Sequence, residues 1–201
     1  MRTIMLAVLL FSIAAYGQSS KPQQSARNSG TASARGSSST GPGNSQALNP
    51  RALERITKEV RHELVMLPFY GVFDNLAYRV DPDGTVELFG QVTRPTLKTD
   101  AEKVVKNIEG VTRVVNNIEV LPPSPNDDRI RRDVYRAIYG NDVLSQYQLR
   151  AVPPIHIIVK NGNVTLEGVV ARQMDKQIAE MQAKSVPGAF SVTDNLRVEN
   201  E

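Results

Sequence analysis

The chain has 201 residues, with 24 Lys and Arg against 21 Asp and Glu, two His and no Cys. The missing cysteines exclude disulfides, thiolate nucleophiles, Cys-based zinc sites and anchoring by acylation of a cysteine behind a signal. Arg2, Lys21, Arg27 and Arg35 put +4 before residue 50, and beyond it 20 bases meet 21 acids, which leaves a net charge of +3. The broad basic footprint of a nucleic-acid binder is therefore absent.

In chain order, Arg2 precedes the apolar run TIMLAVLLFSIAA, and Ala15-Tyr16-Gly17 puts small residues at a cleavage site. This predicts a signal peptide over residues 1–17, cut near Gly17, because the run is shorter than the roughly 20 residues of a spanning helix. No other segment is long and apolar enough to span. Residues 18–49 are rich in Ser, Gly, Gln and Asn, cannot bury enough surface to offset ordering entropy, and are expected to be disordered. The mature protein is expected to be periplasmic or secreted, folded from Pro50 to Glu201.

Leu53, Ile56, Val60 and Leu64 recur at helical spacing and predict a helix from Arg51 to about Val65. A strand is expected near Leu76 to Asp81. Asp83-Gly84 then signals a tight turn into the alternating strand Val86, Leu88, Gly90, Val92. Leu97, Ala101, Val104, Val105 and Ile108 return to helical period, with a capping box expected at Thr99 and Glu102 and a stop at Gly110. VTRVVNNIEV is the last strand. After the proline-rich joint LPPSPND, the same order returns: a helix marked by Ile130, Val134 and Ile138; IHIIV and VTLEGVV joined through Asn161-Gly162; a helix marked by Met174, Ile178, Ala179, Ala183 and Val186; and the strand FSVTDNLRV.

The two halves are copies. Shifted by 78 residues and without a gap, the 38 positions from Asp83 to Val120 give 14 identities, among them Gly84, Val86, Leu88, Gly90, Val92 and Arg94 on Gly162, Val164, Leu166, Gly168, Val170 and Arg172. Two units follow, residues 50–122 and 123–201. Each is α+β, a helix–strand–strand–helix–strand unit in which two amphipathic helices cover one face of a three-stranded sheet. The strand after the second helix is expected to join parallel to a neighbour. Gly90 and Gly168, in mid-strand, read as bulges or close-packing positions. Gly84, Gly110, Gly162 and Gly188 read as turn and cap residues, and no phosphate-loop spacing links them.

Each unit resembles the BON domain, the bacterial osmotic-stress and nodulation module. The resemblance rests on the hydrophobic–x–Leu–x–Gly–x–Val strand (Val86 to Val92 and Val164 to Val170) and on the ending that runs Gly110, Val114, Asn117, Ile118, Val120 and again from Gly188 to Val198. It covers nearly all of Pro50 to Glu201 and implies an αββαβ fold, a periplasmic setting, a role in envelope integrity or osmotic stress, and phospholipid binding.

No catalytic or metal constellation emerges. His62 and His156 do not coincide under the shift, and neither sits in a HExxH or Ser-His-Asp pattern. Asp81, Asp83 and Glu87 lack a calcium-loop spacing. No enzyme activity, cofactor or metal is expected. The repeats have diverged on the surface of one helix, RIRRDVYRAIYG, Arg129 to Gly140. With Ile130, Val134 and Ile138 turned inward, Arg132, Tyr135, Arg136 and Tyr139 are expected on the outer side with Arg131 flanking, where the first unit carries Arg55, Lys58, Glu59, His62 and Glu63. Arginine pairs with phosphate and tyrosine sits at headgroup level, so this face fits an anionic phospholipid surface. Three alternatives stay open: a solvated face partly packed on the other unit, an adaptor surface for an envelope protein, and a ligand or ion site between the units.

Overall fold

A computed structural model describes residues 48–150 and 152–199. The expected signal peptide and all but the last two residues of the Ser/Gly-rich segment lie outside the described residues. Asn49 opens helix α1 (Pro50–Val65) by accepting a hydrogen bond from the Ala52 amide at 2.8 Å, and Pro50 takes a first-turn position where its missing N–H is not needed. Ile56, Val60 and Leu64 fall on one face of α1 and are buried. Strands β1 (Asn75–Val80) and β2 (Thr85–Val92) pair antiparallel, with Val80 opposite Val86.

Helix α2 (Pro95–Lys106) starts four residues ahead of the expected Thr99–Glu102 capping box. Pro95 is preset for the first turn, so Thr99 falls inside the helix and its hydroxyl donates back to the Pro95 carbonyl at 3.4 Å. The last strand, expected unbroken, is two pieces, β3 (Arg113–Asn116) and β4 (Glu119–Val120), both parallel to β2. The break arises where the Asn116 side chain takes the Ile118 amide at 3.2 Å while Ile118 turns into the core.

Ser124 caps helix α3 (Pro125–Tyr139) through the Asp127 amide at 3.2 Å, which shortens the proline joint to Leu121–Ser124. A 3-10 helix at Ser145–Leu149, which periodicity does not foretell, lies in the connection to β5 (Ile155–Lys160). Strand β6 (Asn163–Val170) returns antiparallel through Asn161 and Gly162, with φ of 53° and 75°, the mirror-image turn that Asn-Gly favours in hairpins. Helix α4 (Gln173–Lys184) leads to β7 (Ser191–Val198), parallel to β6. Each unit is thus α+β, with two helices on a mixed sheet. Val86, Leu88 and Val92 meet Leu97, Ala101 and Val105 in the first core; Val164, Leu166 and Val170 meet Ile130, Val134, Ile138 and Ala179 in the second.

The two units join through the loop between α1 and β1. Val72 and Phe73 leave the first unit and pack against the second core. Tyr70 stacks on His156 of β5 at 5.6 Å between ring centres, and Lys160 at the end of β5 pairs with Glu119 of β4.

Candidate functional site

The sequence pointed to α3, and the structure divides the five residues named there. Acids fill its first turn, Asp127 and Asp128, where the helix dipole favours them, and Ile130, Val134 and Ile138 face the core. Arg132 and Arg136, one turn apart, are exposed. Arg136 pairs with Asp133 at 3.3 Å, whereas Arg132 is in no ion pair among the described residues. Tyr135 is half-buried. Its ring lies edge-on to Phe73 at 6.1 Å and against Tyr139 at 4.9 Å, and its hydroxyl accepts from the Gln148 amide at 2.9 Å.

Arg131 and Tyr139 are not on the outer side, which corrects the expectation for both. They are 5% and 3% exposed. The Arg131 guanidinium donates to the Val159 carbonyl at 2.7 Å and pairs with Asp128, and the Tyr139 hydroxyl donates to the Ile155 carbonyl at 2.6 Å. Burial pushes the Tyr139 phenol well above its ordinary range, so it is a neutral donor. The reason lies in β5. Among the described residues it pairs with β6 alone, so its outer edge leaves polar groups that a buried position cannot leave unmet. Tyr139 meets Ile155, Arg131 meets Val159, and the Ile157 amide between them donates to the Val72 carbonyl at 2.8 Å. Two residues of α3 and the loop of the first unit together cap one strand edge.

The second unit holds two further polar clusters that hydrophobic period does not show. Asp175 is fully buried at the start of α4, accepting from Arg172 at 2.9 and 3.2 Å and from the Tyr147 hydroxyl at 2.6 Å, while Tyr147 takes the Ala171 amide at 2.9 Å. Burial drives the Asp175 carboxyl up, but the hydrogen bonds from Arg172 and Tyr147 and the guanidinium charge outweigh it and hold it below the usual range. Asp127, 1% exposed, accepts from the Asn161 and Gly162 amides at 2.9 and 2.8 Å and so binds α3 to the β5–β6 turn. The signal for both was in the repeat: under the 78-residue shift Asp175 falls on Leu97 and Asp127 on Asn49.

At the junction, His156 is largely buried and its Nδ1 has no partner among the described residues. Around it stand the Tyr70 ring, the Gly71 and Asp74 carbonyls and the Asp74 carboxylate, which is itself held by Thr93 at 2.7 and 2.8 Å. Burial lowers the imidazole pKa, and the carbonyls and Asp74 only partly restore it. With the folded value depressed, the unfolded chain binds the proton first, so stability is full above about pH 6.5, the ordinary value, and is lost as pH falls below it. Denaturant midpoints from pH 8 to 5 are expected to fall for the wild type and to fall less for His156→Phe. Equal slopes in the two proteins would remove His156 from this role.

The BON domain family model matches the chain twice, over residues 52–122 and 126–200. The chain belongs to the BON domain family. BON domains occur in envelope proteins and are generally non-enzymatic. No curated protein matches the chain. Among solved structures, it is similar to the C-terminal domain of CdsD, a structural protein of the type III secretion system of Chlamydia trachomatis: 13% identity, 70% of this chain and 96% of that one, TM-score 0.28. A second CdsD structure gives 13% identity, 71% and 91% coverage, and TM-score 0.28. No helix among the described residues is long and apolar enough to cross a membrane.

Proposed function

We propose that this tandem BON protein is a non-catalytic component of the envelope, periplasmic or secreted, that rests weakly and reversibly on anionic phospholipid and contributes to envelope integrity or osmotic tolerance. The observation that carries this reading is the pair Arg132 and Arg136, exposed one turn apart on α3, with Arg132 free of any carboxylate among the described residues. Loss of Arg131 and Tyr139 from the face reduces the contact to two cations at about 1 kcal/mol each, which gives transient, salt-sensitive binding. Vesicle flotation of residues 18–201 tests it; omitting residues 1–17 prevents their apolar run from binding lipid on its own. Flotation with anionic but not neutral vesicles is expected, reduced several-fold by Arg132→Glu/Arg136→Glu. Unchanged flotation of that variant would remove α3 from the contact.

A second reading, an adaptor for an envelope protein, is favoured by β7. This strand of eight residues forms one edge of the second sheet and has β6 as its only partner among the described residues. Such an edge can accept an added strand. Capture that is indifferent to lipid and salt would favour it.

A further inference from the structure

The chain carries its own control for one arginine. Arg94 and Arg172 occupy the same place in the two BON units, just before the second helix of each. In the second unit the guanidinium has a structural task, the two-point pair with buried Asp175. In the first unit the acid is replaced by Leu97, buried in the core, and Arg94 is left with no ion pair among the described residues. It is exposed and lies over the Phe69 ring, 4.7 Å from its centre.

Phe69 is itself out of the ordinary. It is 71% exposed and holds a φ of 68°, a left-handed conformation that bulky side chains rarely adopt. Backbone strain of this kind persists only where surrounding structure imposes it, and it gathers at functional positions. Met66 and Val65, just before it, are 66% and 45% exposed. Arg61, one turn before Val65, is exposed and in no ion pair among the described residues, and Glu63 is the only acid between Val60 and Phe73. Three exposed apolar side chains with two free guanidiniums make an amphipathic tip, and single scattered hydrophobics need no such explanation. Apolar groups flanked by arginine suit the boundary between phosphates and acyl chains, where rings and thioethers enter and guanidiniums pair with phosphate.

We propose that the tip formed by Val65, Met66, Phe69 and Arg94 is a second contact of this protein, which inserts into an anionic bilayer surface. It shares the partner class of the reading above but stands on different residues in the other unit. The two contacts are joined by one short loop, because Phe73, four residues after Phe69, packs on Tyr135 between Arg132 and Arg136.

The chain contains no tryptophan, so Phe69→Trp in residues 18–201 places a single reporter at the tip, and Phe190→Trp, at a site 80% exposed in the second unit, is the control. With vesicles containing anionic lipid, emission from the Phe69→Trp variant is expected to shift to the blue and to be quenched by brominated acyl chains, while the indole of Phe190→Trp stays in water. Adding Arg94→Glu to Phe69→Trp is expected to weaken the response several-fold. A tip indole that remains in water while the chain floats with the vesicles would overturn the tip and leave the α3 contact standing. A tip response that survives Arg132→Glu/Arg136→Glu would uphold the tip by itself. Failure of the chain to float at low salt would overturn both contacts.

Discussion

Gly168→Ala is expected to remove most of the stability of the second BON unit. The glycine lies inside β6 with φ of 126°, and a Cβ there would stand 1.9 Å from the Pro154 carbonyl oxygen and 3.1 Å from its carbon. Both obstacles are backbone, at the start of β5, so no rotamer change relieves them. The same oxygen accepts the Val169 amide at 3.2 Å, which makes the close approach part of the pairing between the two strands. The strained backbone alone costs about 1–3 kcal/mol. With the overlap added, a loss of about 4 kcal/mol is a large part of the margin of a small domain. Gly90→Ala in β2 meets the Asn75 oxygen at 2.0 Å with φ of 112° and is expected to damage the first unit similarly. Gly71→Ala is the control: nothing lies within 4 Å of its added carbon, and a change within about 0.5 kcal/mol is expected. Urea midpoints of the three variants decide the matter. A Gly168→Ala protein that unfolds at the wild-type midpoint would show that β5 and β6 can part without cost.

The elements were legible because each unit is built from regular periods. Ile56, Val60 and Leu64 or Val86, Leu88 and Val92 can only be one face of a helix or strand, and the repeat doubled every such signal. What stayed hidden was set by contacts between elements. A helical wheel places Arg131 beside the apolar stripe and Tyr139 on the outer side, but it cannot show that the open edge of β5 lies beside them. The chemistry that suggested a lipid face, long apolar bodies with polar tips, serves equally to reach two carbonyls at a sheet edge. The loop from Met66 to Asp74 has no period at all, so neither the docking of Val72 and Phe73 nor the exposure of Phe69 was visible. The Asp74 carboxylate, buried among backbone amides, likewise carries no pattern. Of the α3 face, the two arginines that remain exposed were legible from spacing alone, since they lie one turn apart on the side of the helix opposite the buried Val134.

Asp127→Ala is expected to cost about 3 kcal/mol and to loosen α3 from the hairpin it covers. The carboxylate is the acceptor for two consecutive amides, Asn161 at 2.9 Å and Gly162 at 2.8 Å, and the second of these bonds is buried. Both residues are in the left-handed region, so their N–H groups point together toward α3 and away from the β5–β6 ladder. No strand partner can satisfy them, and hydrogen bonds to a charged acceptor contribute about 1.5–3 kcal/mol each. Alanine removes the acceptor, leaves two donors unmet, and takes a negative charge from the first turn of α3, where the dipole welcomes it. Asp127→Asn separates these effects. Its single carbonyl oxygen can take one amide while its NH2 faces the other, so a loss of about half or more of the alanine cost is expected. Asp128→Asn, in the same turn and half-exposed, removes the same charge, keeps an oxygen for the buried Arg131 guanidinium and spares the hairpin turn; its cost should stay near about 1 kcal/mol. Amide hydrogen exchange adds a local readout. Loss of protection at Asn161 and Gly162 in Asp127→Ala, with β7 still protected, would place the damage at the turn. If both amides keep their wild-type protection, the clamp is not what holds the hairpin to the helix.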